Sequence, residues 1–166
     1  RALYVTGVQT CTLPISNPSS SHSQGQQWRH EVNMARQDVA ALIGVKSSEI
    51  LFTSSGTESN NWVLRGVCSE ADKKYHIVTS SVEHPSIEST CRYLSDKGHK
   101  ISILPVNSEG KIDLNELKIS IGEKPDLVSI QWVNSETGVI QPVNEIAELC
   151  QAAKVPFHTD AVQALG

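Results

Sequence analysis

The strongest constraint on the fold is the alternation of short apolar segments with longer segments of helical period. The apolar segments lie at 50–52, 75–79, 101–106, 127–133 and 155–158, and each is short enough to be a strand. Apolar residues three and four positions apart predict helices over 26–43, 57–68, 85–97, 113–119 and 142–153. This alternation predicts an α/β fold of three layers, with helices on both faces of a mostly parallel sheet.

The start of the chain does not share this pattern. Residues 1–16 have no regular period, and no uninterrupted apolar run follows their basic first residue, as a secretory signal would require. We interpret them as a non-native leader, closer to translated adapter sequence than to a protein element. The Ser-rich stretch at 17–25 then predicts a loop before the first helix.

Composition excludes several classes of partner and site. The net charge is −4 and no run of Lys or Arg stands out, so a nucleic-acid partner is not expected. Apolar runs fall far short of the roughly 20 residues of a membrane span. Four cysteines without a Cys-x-x-Cys pair indicate neither a disulfide framework nor a metal site. A reducing, cytoplasmic compartment is therefore expected.

Polar segments follow four of the five predicted strands, at 53–58, 80–84, 134–138 and 159–163. In parallel sheets, ligands bind beyond the carboxyl ends of the strands. We therefore expect these segments to converge on one edge of the sheet.

The first polar segment is a Ser/Gly/Thr turn that leads into a helix. Free backbone N–H groups and the helix dipole favour an anion there, and the hydroxyl of Thr57 can donate to it. The alternative is a capping box in which Ser55 pairs with Glu58. The turn lacks both the Walker lysine and the Gly-x-Gly-x-x-Gly spacing, so a dinucleotide-binding domain ranks low.

Two further side chains are candidates for chemistry. Asp160 ends an apolar strand, where a carboxylate needs a cationic or hydrogen-bonding partner such as a protonated ring nitrogen. Its alternative role is to cap a helix beginning at Ala161. His84 lies between a strand and a helix opened by Pro85, where its ring could stack on a ligand or move protons, or could simply be a loop histidine. His158, inside the last strand, is interpreted as structural.

Together, the polar segments resemble the motifs of class V aminotransferase-like enzymes, and most closely those of cysteine desulfurases and selenocysteine lyases. The resemblance rests on FTSSGTESNN at 52–61, SVEH at 81–84, NSETG at 134–138 and HTDAVQ at 158–163, in that order. NPSS at 17–20, followed by His22, resembles the same branch. The similarity covers 17–166, which would be part of the large cofactor-binding domain.

The resemblance implies pyridoxal 5'-phosphate as cofactor and assigns a role to each matching position. Gly56 and Thr57 would hold its phosphate. His84 would stack over the pyridine ring and act catalytically by moving protons. Asp160 would keep the ring nitrogen protonated, which strengthens the ring as an electron sink. Gln163 would hydrogen-bond the phenolic oxygen.

Two departures from the family pattern affect this assignment. Asn134 and Ser135 stand where the family often has two asparagines; both are predicted cofactor contacts, but Ser135 cannot offer an amide. The family's cofactor-binding lysine, nucleophilic loop cysteine and carboxylate-binding arginine all lie further on than Gly166. We therefore interpret the chain as an internal fragment that is inactive by itself.

For the parent protein, the resemblance implies cysteine desulfuration within sulfur metabolism, such as iron–sulfur cluster assembly. L-cysteine would yield L-alanine while a cysteine thiolate takes the sulfur as a persulfide. A sulfur-acceptor protein is a possible partner, and the family resemblance implies a homodimer. Selenocysteine lysis or another class V reaction is the first alternative. The second is a non-catalytic α/β module whose polar loops are only helix caps.

Overall fold

The computed structural model describes residues 17–164, which divide into two compact units after Phe52. The leader predicted at residues 1–16 lies outside the described part of the chain. The assignment of residues 17–166 to a single partial domain stays a prediction.

The first unit is built around one helix, α1, which spans Ser23–Ile43. It begins three residues before the predicted start because His22 caps it, with Nδ1 accepting the Gly25 N–H at 3.1 Å. Gly44 ends the helix in the left-handed conformation, with φ of 72°, as its lack of a side chain permits. No helix within residues 17–164 is both long and apolar enough to cross a membrane.

The strand predicted at residues 50–52 is wrong. A short 3-10 helix, Ser47–Glu49, precedes these residues, and they join no sheet within the described part of the chain. The Ile50 carbonyl accepts a hydrogen bond from Arg36 Nε at 3.2 Å, and the Arg36 guanidinium lies 5.4 Å from the centre of the Phe52 ring. The Arg36 side chain therefore satisfies a backbone acceptor of this segment, which makes no strand pairing within residues 17–164.

The second unit contains a four-stranded sheet, which confirms the predicted parallel α/β class. Its strands are β1 (His76–Ser80), β2 (Lys100–Leu104), β3 (Leu127–Ser129) and β4 (Phe157–His158). Every neighbouring pair is parallel, and the spatial order is β2-β1-β3-β4. The connection from β2 to β3 therefore crosses over β1.

Helices cover both faces of this sheet, as predicted. They are α2 (Gly56–Val67), α3 (Pro85–Asp96), α4 (Leu114–Gly122) and α5 (Val143–Ala153). On one face, Leu64 of α2 and Ile87 of α3 pack in a core with Ile77 of β1. On the other, the helices α4 and α5 pack in a second core that includes Val128 of β3 and Ile146 of α5. Each fully buried aliphatic side chain contributes about 1.5–3 kcal/mol, so these two cores hold the strand ends in place.

Candidate functional site

The strand order places a crevice beyond the carboxyl ends of β1 and β3. These strands are neighbours, but the chain leaves β1 toward β2 and leaves β3 toward β4, on opposite sides. Parallel sheets bind ligands at such a switch point. A cavity of about 220 Å³ lies there. Its lining includes six predicted site residues, Gly56, Thr57, His84, Ser135, Asp160 and Gln163, together with Ser55, Asn60, Gln131, Val133 and Val162.

One side of the cavity is the N-terminus of α2. The first N–H groups of a helix have no intrahelical partner, so those of Gly56 and Thr57 are available to an anion. A Cβ built on Gly56 would lie 2.8 Å from Cγ2 of Val162, closer than real Cβ contacts. An alanine here would displace the exposed Val162 side chain, whereas glycine leaves the backbone open to a phosphate.

The alternative capping role of this turn is also present. The Ser55 hydroxyl accepts the Glu58 N–H at 3.2 Å. The Glu58 carboxylate reaches back to Ser54 instead, accepting its N–H at 2.6 Å and its hydroxyl at 2.7 Å. These bonds lower the pKa of Glu58. Capping therefore orders the turn and leaves the N–H groups of Gly56 and Thr57 free of these contacts.

Asp160 enters the cavity from the segment that follows β4. Its carbonyl accepts the Trp132 N–H at 2.9 Å, which continues the pairing of the two chain segments past the ends of β3 and β4. The carboxylate accepts two hydrogen bonds, from Asn60 Nδ2 to Oδ2 at 2.8 Å and from the Val162 N–H to Oδ1 at 3.0 Å. Residues 162–164 form a turn, so Asp160 orders a turn and caps no helix there.

His84 caps α3, directly before Pro85, which is the first residue of the helix. Its Nδ1 accepts the Ser86 N–H at 3.1 Å and lies 2.8 Å from the Ser86 hydroxyl. Within residues 17–164, Nε2 has no hydrogen-bond partner. The ring is therefore fixed through one nitrogen, and the other is available for proton transfer.

The structure separates the two neighbouring residues predicted to contact the cofactor. Ser135 lines the cavity, whereas Asn134 lies outside it. The Asn134 Nδ2 donates to the Val82 carbonyl at 3.0 Å, and Oδ1 accepts N–H groups of Glu136 and Thr137 at 3.0 Å and 2.8 Å. The Asn134 amide is thus committed to shaping its own loop.

Sequence reasoning missed two buried polar residues beside the cavity, Asn60 and Ser86, which are 3% and 8% exposed. Asn60 Nδ2 lies 2.8 Å from Asp160 Oδ2 and 2.9 Å from Ser86 Oγ. A signal for Asn60 exists in the sequence, because it follows Thr57 by three residues and must share its helix face. No local signal identifies Ser86, whose partner Asn60 is 26 positions earlier in the chain.

Glu83 is a third residue missed from the sequence. It accepts the Ser80 hydroxyl at 2.5 Å and the Gln131 N–H at 3.0 Å, so it joins the carboxyl ends of β1 and β3. Burial raises the pKa of Glu83 to about 7, opposed by these hydrogen bonds and assisted by the negative charge of Asp160. Like Asp160, Glu83 is a carboxylate that follows an apolar strand, so the same local signal marks it as a candidate.

The thiols of the described residues are poor nucleophiles. Burial raises the pKa of Cys91 and of Cys150 to about 11, and it also raises the pKa of Cys68. Since the thiolate is the reactive form, none of these three suits nucleophilic attack at neutral pH. Cys11 lies outside the described residues.

Comparison with known proteins identifies a family and several relatives. The model of the family described as aminotransferase class V matches residues 9–166. The chain is 42% identical over 156 residues to cysteine desulfurase IscS of Methanosarcina thermophila, covering 93% of this chain and 39% of that protein. It is 46% identical over 152 residues to the mitochondrial cysteine desulfurase of Drosophila melanogaster, covering 90% and 33%. The chain thus spans about two fifths or less of these relatives.

Solved structures show the same likeness. A NifS-like protein is 40% identical, with a TM-score of 0.84 over 89% of this chain and 41% of its own. A structure described as SspA in complex with cysteine is 32% identical, with a TM-score of 0.86 over 91% of this chain and 44% of its own. Both agree with the parallel sheet and helical layers described above.

Proposed function

Because the chain belongs to the class V aminotransferase family, we propose that it is the cofactor-cradling part of a pyridoxal-phosphate-dependent cysteine desulfurase. One observation carries the proposal: three groups meet at one cavity. They are the N-terminus of α2, the hydrogen-bonded carboxylate of Asp160 and the imidazole of His84, which is held through Nδ1. The relatives named above as cysteine desulfurases support the choice of reaction.

The residues present fit this cofactor. In the proposal, the N–H groups of Gly56 and Thr57 bind the phosphate, and the absence of a side chain at Gly56 leaves room for that contact. Asp160 accepts a hydrogen bond from the ring nitrogen, and Gln163 hydrogen-bonds the phenolic oxygen. When bound, pyridoxal phosphate supplies an electron sink for bond cleavage in an amino-acid substrate.

The remaining residues act on protons and on access to the cavity. We infer that His84 stacks on the ring and holds or moves a proton at Nε2, the nitrogen its capping bonds leave available. In the proposal, the Ser135 hydroxyl makes the cofactor hydrogen bond at the position where the family often has an asparagine, whose amide is longer. The sulfur of L-cysteine passes to a cysteine thiolate other than Cys68, Cys91 or Cys150, whose burial makes them unsuitable.

The partners and location follow from the same proposal. The substrate proposed is L-cysteine, the product is L-alanine, and the persulfide sulfur goes to an acceptor protein, as in iron–sulfur cluster assembly. We propose a homodimer for the whole protein and a reducing compartment, the cytoplasm. The free thiols of Cys68, Cys91 and Cys150 support a reducing compartment.

The test replaces the proposed ring-nitrogen partner in the intact protein that carries this chain. Asp160→Ala should weaken pyridoxal phosphate binding at least tenfold, since a charge-assisted hydrogen bond is lost, and should abolish alanine formation from L-cysteine. Asp96→Asn, at the exposed end of α3, is the matched control and should bind and react like the wild type. Binding is measured from the cofactor's absorbance, and alanine is measured by chromatography.

Two outcomes would contradict the proposal. Failure of the wild-type protein to bind pyridoxal phosphate would favour a non-catalytic α/β module. Alanine formation from L-selenocysteine but not from L-cysteine would favour selenocysteine lyase.

A further inference from the structure

We propose that Asn60 and Ser86 are positioning residues that orient His84 and Asp160 through one hydrogen-bonded chain. The chain runs from the Asp160 carboxylate through the Asn60 amide and the Ser86 hydroxyl to Nδ1 of His84, with heavy-atom distances of 2.8, 2.9 and 2.8 Å. The inference rests on the proposed function only where it assigns the cavity to pyridoxal phosphate.

The chemistry of the end groups fixes the direction of every bond in this chain. A carboxylate only accepts hydrogen bonds, so the Asn60 nitrogen, and not its oxygen, must face Asp160. The second amide hydrogen of Asn60 then points at Ser86 Oγ, 2.9 Å away. Ser86 Oγ therefore accepts from Asn60, and its own hydrogen is directed to its other neighbour, Nδ1 of His84.

This direction determines the tautomer of the neutral imidazole. Nδ1 faces two donors from one residue, the Ser86 backbone N–H at 3.1 Å and the Ser86 hydroxyl at 2.8 Å. It must therefore offer its lone pair, and the single ring proton lies on Nε2. His84 thus presents an N–H donor on the side of the ring that the helix cap leaves available.

The burial of Asn60 indicates that its amide group depends on these two hydrogen bonds. Asn60 is 3% exposed, so loss of either partner would leave a donor without solvent to replace it. The residue stands on α2, while its two partners come from α3 and from the segment after β4. One amide therefore sets the relative position of a proton-transfer group and a carboxylate that approach from different elements.

The variants that test this are Asn60→Ala, Ser86→Ala and the conservative Ser86→Thr. Ser89→Ala, an exposed serine one turn later on α3, is the matched control. The intact protein is labelled with ¹⁵N-histidine, and the His84 tautomer is read from its ring nitrogen shifts at about pH 8, where imidazole is mostly neutral. The dissociation constant for pyridoxal phosphate and the pH profile of the bound cofactor's absorbance are measured in parallel.

The wild type, Ser86→Thr and Ser89→Ala should show the Nε2–H tautomer alone. Ser86→Ala and Asn60→Ala should keep this tautomer, because the Ser86 backbone N–H still donates to Nδ1, but both should bind pyridoxal phosphate more weakly than Ser86→Thr and Ser89→Ala, since the link between His84 and Asp160 is broken. Asn60→Ala should also bind pyridoxal phosphate about tenfold more weakly, since Asp160 loses a donor to a charged group. A merely structural asparagine would lower stability without changing the cofactor affinity or the pH profile of the bound cofactor.

The proposal is overturned if Ser86→Ala matches Ser86→Thr in cofactor affinity and pH profile, or if wild-type His84 carries its ring proton on Nδ1. The serine pair decides the matter even if Asn60→Ala does not fold. Absence of pyridoxal phosphate binding in the wild type would overturn the proposed function alone, because the tautomer is measured without cofactor as well.

Discussion

Replacing Glu83 with glutamine should remove a pH dependence of stability that the fold imposes on the candidate site. Burial raises the pKa of Glu83 from an ordinary 4.5 to about 7. At 1.36 kcal/mol per pKa unit, this shift is linked to about 3 kcal/mol of folding free energy. Glutamine has nearly the same shape as the protonated acid and does not titrate.

The sign follows from where the proton is bound. Between pH 4.5 and about 7 the folded protein keeps a proton on Glu83 that the unfolded chain has released. The stabilisation is therefore fully present below pH 4.5 and is lost as pH rises to about 7. Over this interval the free energy of unfolding of the wild type should fall relative to that of Glu83→Gln by up to about 3 kcal/mol.

The assay is urea unfolding of the intact protein at pH 5 and at pH 8, for the wild type, Glu83→Gln and the control Glu148→Gln. Glu148 is exposed on α5, so its replacement should leave the pH dependence of the wild type unchanged. Any constant cost of the glutamine amide beside the Gln131 N–H cancels, because only the change between the two pH values is compared. If the difference in free energy of unfolding between the wild type and Glu83→Gln is the same at pH 5 and at pH 8, no buried titrating carboxyl lies between β1 and β3.

Two further predictions compare buried and open positions. Gly56→Ala should weaken cofactor binding, measured from the cofactor's absorbance, because its Cβ meets Cγ2 of Val162 at 2.8 Å and displaces that exposed side chain of the cavity wall. Gly66→Ala, in the same helix with nothing within 4 Å, should stabilise the protein by about 0.5–1 kcal/mol in urea unfolding. Ile146 is fully buried, so Ile146→Ala should lower the free energy of unfolding by about 2–5 kcal/mol. Ile119 is 66% exposed, so Ile119→Ala should lower it by under about 1 kcal/mol. Equal losses for the two variants in thermal or urea unfolding would contradict the packing described.

Periodicity alone predicted the architecture of residues 53–164. Four predicted strands and the four helices α2 to α5 occur where their apolar spacing indicated, with ends that differ by a few residues. The prediction failed at 50–52, since a short apolar run indicates a strand only if a neighbouring strand can take up its backbone groups. There, Arg36 takes the Ile50 carbonyl instead. That competition between a side chain and a strand is not visible in local sequence.

The candidate site was predictable where each residue carries its own local signal. Gly56 and Thr57 open a helix, His84 precedes the helix-starting Pro85, and Asp160 follows an apolar strand. Each of these is a property of a few consecutive residues, and the family resemblance added the roles.

The sequence by itself therefore determined the layers, the turns and the chemical groups offered at the strand ends, because helix and strand periods and capping are local. Tertiary structure decided which of those groups meet. The order β2-β1-β3-β4 brings Asn60 within 2.8 Å of Asp160, one hundred positions away, and turns Ser135 toward the cavity instead of Asn134. Contacts between such distant positions depend on how helices pack across a sheet, and no short segment of the chain encodes that geometry.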